Sequence, residues 1–435
     1  MNLAIISLLA LVVAIVLSCT TRINVGLLSL VCAWFIGVYL GGMDVKVIRA
    51  GFPTDLFLTL VGITLLFAQA EVNGTLERVA HRGVKLCRGI VGLVPLMFFL
   101  LALSIASVGA GNIAGAALVA PMAMTVAGRV GIPAILMTVM VAHGALAGAV
   151  SPFAPTGIIA NNLMAKMGLG GREWQTYLFN LLACAATAIL GYFVFGGSRL
   201  LNRTHVESSE SSSESYVESP TSSAETEASD NQMIASFEKR HWITIGVIAA
   251  LVVSVILFRV DVGMGAFAGA IILILLRTSD EAAAIRVMPW NVILMVCGVT
   301  VLTSLLEKTG GLELFSTFLA KVATTKTING IIGFVTGVVS IYSSTSGVVL
   351  PAFLPMAPKL AEKLVGSDPL AISWSMIVAG HLVDGSPLST IGAICVASAP
   401  LSVDRRKLFN QALYWGLSMS IAGAIICQIF FGFLW

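Results

Sequence analysis

"SPFAPTG" at residues 151–157 and "SPLSTIG" at residues 386–392 share one pattern, a serine-proline pair with a glycine six positions after the serine, 235 residues apart. Strongly apolar stretches precede both, "MTVMVAHGALAGAV" in the first case and "AISWSMIVAGHLVDG" in the second. Proline lacks an N–H and clashes with the preceding turn, which costs a helix interior about 3 kcal/mol. Each motif therefore predicts a helix broken partway along its length.

The surroundings of those breaks are membrane-like. Hydrophobic residues make up 57% of the 435 positions and charged ones 11%, with a mean hydropathy of +0.96, whereas soluble domains carry about 25% charge. Apolar runs close to the roughly 20 residues that cross a bilayer recur along the chain, among them 2–18, 23–41, 56–72 and 174–195. The first run has no basic segment before it and no small-residue cleavage site, so a retained helix is expected rather than a signal peptide. A dispersed net charge of +3 argues against nucleic acid as a partner. Seven cysteines form no CxxC and no zinc or disulfide spacing, and read as small apolar residues in helices.

One long water-like segment, 201–239, contains "ESSESSSESYVESPTSSAETEASD" and is expected to be a disordered linker. The halves on either side match in register. "GITLLFAQAEVNGTLE" from Gly62 faces "GVTVLTSLLEKTGGLE" from Gly298, so that Thr64, Glu71, Gly74, Leu76 and Glu77 meet Thr300, Glu307, Gly310, Leu312 and Glu313, 236 positions on. "PMA" at Pro121 recurs at Pro355, 234 positions on. Three blocks in one order point to an internal duplication.

The expected organisation is all-α and polytopic. The first repeat, 1–200, has three helices, an amphipathic arm at 73–89, a re-entrant hairpin at 90–130, a broken helix at 132–162 and a last helix at 174–197. The second, 240–435, repeats this with an arm at 309–327, a hairpin at 328–365, a broken helix at 370–398 and a last helix at 409–434. Five crossings per half, the hairpin counting as none, turn the second copy upside down relative to the first. With both termini outside, the inner face collects 15 of the 25 Lys and Arg, including Arg78, Arg82, Lys85, Arg88 and the "DRRK" cluster, and the linker is cytoplasmic.

Irregular backbone is tolerated in hydrocarbon only where protein or a water-filled cavity surrounds it, so the two breaks and two hairpin tips are expected to face one cavity. Inverted repeats with paired interrupted helices are the sequence pointer to a secondary transporter with a midplane site. Four helix N-termini, near Ile113, Gly157, Gly347 and Gly392, aim free N–H groups at that cavity and favour an anion. Candidate substrate donors are Asn112, Ser151 and Thr156 from the first half, and Ser343, Ser344, Thr345, Ser346, Ser386, Ser389 and Thr390 from the second. Gly109, Gly111, Gly157, Gly347 and Gly392 are candidates for tight turns and close backbone approach.

The stretch "SVGAGNIAGAALVAPMAMTVAGRVGIPAILMTVMVAHGALAGAVSPFAPTG" resembles the ion transporter superfamily, and most closely the malonate and C4-dicarboxylate carriers of the MatC type. The architectural likeness covers nearly the whole chain outside the linker, and the closer likeness is concentrated in the first half. In the related divalent anion:sodium symporters, Ser-Asn-Thr triplets on the hairpin tips contact substrate carboxylates and help hold sodium, while a transport domain moves as an elevator against a scaffold. Those triplets fall here on Gly111-Asn112-Ile113 and Thr345-Ser346-Gly347, of which Asn112 alone keeps its type. The resemblance thus implies a carrier of malonate, succinate or a similar acid, coupled to sodium or protons, dimeric, in a bacterial inner membrane, with no further cofactor.

Asn112, Ser346, Asp384, His143 and His381 are the coupling-ion candidates. Intramembrane acids such as Asp384 are expensive and usually functional, the alternative being a hydrogen bond that holds the break. For the two histidines the alternative is a neutral imidazole bonded to a nearby carbonyl. Asn161 and Asn162 are either cavity-lining or capping residues; Glu71 and Glu307, at the ends of matching helices, read as hinges or ion pairs for the arms. The competing functional class is an anion channel or an arsenite-type oxyanion efflux permease. An intramembrane enzyme is disfavoured, because no nucleophile or metal cluster joins His143 and Asp384.

Overall fold

The structure is a computed structural model and describes residues 2–20, 23–79, 91–200, 237–258, 260–400 and 403–435. The linker expected at 201–239 lies outside the described residues up to position 236, as do residues 80–89 of the first arm with Arg82, Lys85 and Arg88. Everything described is helix, turn or irregular connection, without a strand among the described residues. Helix starts carry the signals that supply partners for otherwise unpaired N–H groups. Asp44, Asp261, Asp280, Asp368 and Asp404 each accept a backbone N–H two or three residues on. The last helix consequently begins at Arg405, where Asp404 caps it, rather than at 409.

Element order is the same in both halves. Leu3–Thr20, Val25–Trp34, Val45–Arg49 and Thr54–Val72 are answered by Lys239–Phe258, Val262–Leu275, Glu281–Val287 and Trp290–Thr309. The short third members were not anticipated, being too brief to show periodicity. Their caps, Asp44 and Asp280, are nonetheless 236 positions apart, as are Pro53 and Pro289 before the helices that follow.

These helices pair across the halves: Thr54–Val72 packs on Val262–Leu275, and Val25–Trp34 on Trp290–Thr309. Both crossings run through glycine. A Cβ on Gly62 would stand 2.4 Å from the Gly263 carbonyl oxygen, and one on Gly298 would stand 2.0 Å from that of Gly26. Small residues let backbones meet where lipid supplies no hydrophobic drive. The ends of Thr54–Val72 and Trp290–Thr309, where the arms depart, are pinned reciprocally as well, by Asn73 donating to Thr244 at 2.8 Å and by a Ser7–Thr309 hydroxyl pair at 2.8 Å.

The remaining helices form a second body around Ala134–Ala149 and Pro369–Val383. Ile135 to Ala149 and Ala371 to Val383 are buried at every position, as helices apolar all round must be. Leu93–Ile105, Gly111–Val130 and Glu173–Val194 pack on the first; Ile328–Tyr342 and Arg405–Ile429 pack on the second. Trp374 joins the two sets, donating through Nε1 to Thr176 at 3.0 Å and lying edge-on to Phe179. The outward face of Glu173–Val194 is apolar, with Leu178, Leu182, Ile189 and Phe193 exposed. Among the described residues five helical stretches are long and apolar enough to cross a bilayer, Thr54–Val72, Leu93–Val130, Glu173–Val194, Trp290–Thr309 and Arg405–Leu434, and five shorter ones accompany them. The chain is a multi-pass integral membrane protein.

Candidate functional site

Four irregular elements converge inside the molecule. In the first break Ser151 donates to the Ser107 carbonyl at 2.6 Å, and its own carbonyl accepts the Ala154 N–H at 2.9 Å. A new helix, Pro155–Lys166, starts at once, proline serving at a position where no N–H is needed. The second break is built alike: Ser389 N–H donates to the Ser386 carbonyl at 3.0 Å and Thr390–Ala397 follows. The glycine of each motif is explained by this turn. A Cβ on Gly157 would lie 1.9 Å from the Ser151 oxygen, and one on Gly392 would lie 2.1 Å from the Ser386 oxygen.

The two tips differ in chemistry. In the first, the chain reverses through Gly109 (φ 136°) and Gly111 (φ 80°), angles that side chains disfavour, and Gly109 sits against the Phe67 ring. Asn112 accepts the Ile113 N–H at 3.1 Å. At the second tip, helices 328–341 and 345–363 meet at 120°. Ser344 caps the new helix by accepting the Gly347 N–H at 3.1 Å and lies 3.2 Å from the Ser346 hydroxyl, while Ser343 donates back to Val339. A substituent on Gly347 would collide with the Met295 side chain.

Two adjoining cavities lie between these elements. The first, about 170 Å³, is lined by Gly111, Asn112, Pro155 and Thr156 with Thr64, Phe67 and Glu71 of the facing helix. The second, about 200 Å³, is lined by Ser343, Ser344, Asp384, Ser389 and Thr390 with Met295. Asn112, Ile113 and Ser346 line both, so the two are neighbouring lobes of a chamber with those residues as the waist between them. Among the described residues no lysine, arginine or histidine lines either lobe.

Other candidates lie elsewhere. Ser151, Thr345 and Ser386 line neither lobe; Thr345 is wholly buried and its hydroxyl is 2.5 Å from Ser340. Gly157 and Gly392 approach their own break carbonyls, not the chamber. His143 and His381 are fully buried outside it, their Nδ1 atoms bonded to Val139 and Ile377 carbonyls at 3.0 and 2.6 Å, and their Nε2 atoms have no partner among the described residues. Asn161 and Asn162 line a separate cavity of about 710 Å³ with Pro152, Glu173 and Asp261. Glu71 faces the first lobe, whereas Glu307 is exposed at the end of its helix.

Ser340 is the residue that sequence reasoning missed. Its hydroxyl donates to Asp384 Oδ1 at 2.9 Å and lies 3.1 Å from the Gly380 carbonyl, and Thr345 also reaches the same carboxylate. Nothing in a serine within an apolar helix announces this. Among the described residues no group of three or more His, Cys, Asp or Glu side chains is placed to hold a metal.

The family model described as "Dicarboxylate carrier protein MatC N-terminus" matches residues 1–149. No curated protein matches. Among solved structures, the YdaH transporter of Alcanivorax borkumensis is similar with a TM-score of 0.54 at 14% identity, covering 91% of this chain and 89% of that one. MtrF of Neisseria gonorrhoeae, described as one of a class of antimetabolite efflux pumps, is similar with a TM-score of 0.55 at 13% identity, covering 88% and 82%. The fold is thus one found in membrane transporters.

Proposed function

We propose that the chain is a secondary active transporter of small dicarboxylates, malonate, succinate or a similar C3–C4 acid, driven by a sodium or proton gradient. The observation that carries this is the two-lobed chamber, with helix starts and hydroxyls in both lobes and Asn112 and Ser346 at the waist. Helix starts at Gly111 and Pro155 serve one lobe, and that at Thr390, with the Ser343, Ser344 and Ser346 hydroxyls, serves the other; unpaired N–H groups at such starts attract carboxylates. A molecule with a carboxylate at each end matches a chamber with an anion-favouring region at each end. The match of the first 149 residues to a dicarboxylate carrier model supports the same class.

Asp384, in the wall of the second lobe, holds the coupling cation. The halves are inverted repeats whose hairpins re-enter the membrane; the body of hairpins and broken helices slides as an elevator against the glycine-crossed scaffold. Both termini face outward in a bacterial inner membrane, and the carrier works as a homodimer. Uptake of labelled malonate, succinate, malate and citrate into proteoliposomes, with sodium and proton gradients imposed separately, tests this reading. Saturable, gradient-dependent uptake of a dicarboxylate is expected, and flux that neither saturates nor follows a gradient would make the protein a pore.

A further inference from the structure

On that transport reading, we infer that one monovalent cation, not two, accompanies each dicarboxylate, and that it binds only in the second half, beside Asp384. A duplicated architecture could offer two equivalent cation positions; this chain has written one of them out. The second-half position is built from the Asp384 carboxylate, the Ser340 and Thr345 hydroxyls and the Gly380 carbonyl. At the 234-residue offset of the hairpins Ser340 corresponds to Ala106 and Thr345 to Gly111, and at the 235-residue offset of the breaks Asp384 corresponds to Ala149, so all three side-chain oxygens are missing from the first half.

Packing closes the first-half position too. There the hairpin limb lies directly on the broken helix: a Cβ on Gly144 would be 2.4 Å from the Phe99 carbonyl oxygen, and one on Gly148 would be 2.6 Å from that of Leu103. Ile105, Ala106 and Ala149 are buried around this contact. Backbone touching backbone leaves an ion no space.

The second-half carboxylate, by contrast, lacks a cationic partner among the described residues. Asp384 is 6% exposed, its lobe is lined by no basic side chain, and the ion pairs among the described residues, Arg78–Glu238, Arg240–Glu238 and Lys363–Glu313, do not include it. A buried, unpaired charge is costly, and a dianion arriving in the same lobe adds repulsion. One positive charge relieves both, so the cation binds before or with the acid. Each cycle then moves one positive and two negative charges, a net of one negative.

The test uses whichever of malonate or succinate shows saturable uptake, at a pH where it is fully dianionic. Labelled sodium in one arm and a pH-sensitive dye in the other count cations per acid, and potassium with valinomycin sets the membrane potential. One cation per acid is expected, with the steady-state accumulation ratio rising tenfold for each ~59 mV of interior-positive potential, the value for one net charge. A ratio of two or more, or accumulation indifferent to potential, overturns the single-site inference while leaving dicarboxylate transport standing. Failure of both acids to show saturable uptake overturns the transport reading instead. As a check on location, Ser340→Ala should weaken apparent cation affinity about tenfold without changing the count; an unchanged affinity would put the cation elsewhere.

Discussion

Replacing Gly392 by alanine adds one methyl group to the second break, and the structure says how badly it fits. The new Cβ would stand 2.1 Å from the Ser386 carbonyl oxygen, and the corresponding change at Gly157 would put it 1.9 Å from Ser151. Ordinary contact begins near 3.4 Å, so the gaps fall short by 1.3 and 1.5 Å. The obstacle is backbone and cannot swing aside. Making room means displacing a carbonyl that accepts the Ser389 N–H, or in the first break the Ala154 N–H. Overpacking costs about 1–3 kcal/mol and an unsatisfied buried donor about 1–3 more, so either variant should lose ~2–6 kcal/mol. Gly246, with nothing within 4 Å and a place inside Lys239–Phe258, is the control: alanine there should be neutral or stabilise by about 0.5–1 kcal/mol. Melting in detergent, followed by size-exclusion fluorescence after heating, compares the three, and uptake reports function. Equal melting and uptake for Gly392→Ala and Gly246→Ala would refute the steric account of the motif.

Asn112→Ala and Ser346→Ala should each raise the acid concentration for half-maximal uptake about tenfold or more, the scale of a hydrogen bond to a charged group; unchanged values in both would remove the waist from the binding site. Thr345→Ala should instead shift the cation requirement, leaving acid affinity at saturating cation as it was, because the Thr345 hydroxyl faces Ser340 and not the chamber. On the second arm, Glu313 sits below the usual carboxylate range, chiefly through its hydrogen bond from Lys363, so its tether is complete above that range and is lost as pH falls through the lowered value. Hydrogen-exchange protection of residues 311–322, corrected for the intrinsic pH dependence of amide exchange, should therefore be the same at about pH 7 and pH 5 and fall only in stronger acid; a fall between those two values would contradict the sign.

What the sequence disclosed depended on whether a residue's job was local. The glycine six positions after each serine was legible because the turn that demands it spans only those residues. The hydroxyl-rich second tip was legible as a polar patch in an apolar chain, yet not the direction in which each hydroxyl points: Ser346 lines the chamber, and Thr345, its neighbour, faces away. Ser340 stayed hidden because its partners Gly380 and Asp384 are 40 and 44 residues distant. The short helices Val45–Arg49 and Glu281–Val287 hid for the opposite reason, being too short to generate a period, although their aspartate caps stood in matching places.

The glycine crossings also say what the two halves are to each other. Gly26 of the first half meets Gly298 of the second, and Gly62 meets Gly263, so neither half contains both sides of either contact. Each is an incomplete object whose missing surface is carried by its twin. The chain is in that sense a pair of partners whose one-to-one supply is guaranteed by translation, and the covalent connection between positions 200 and 237 has only to keep them in equal number and within reach.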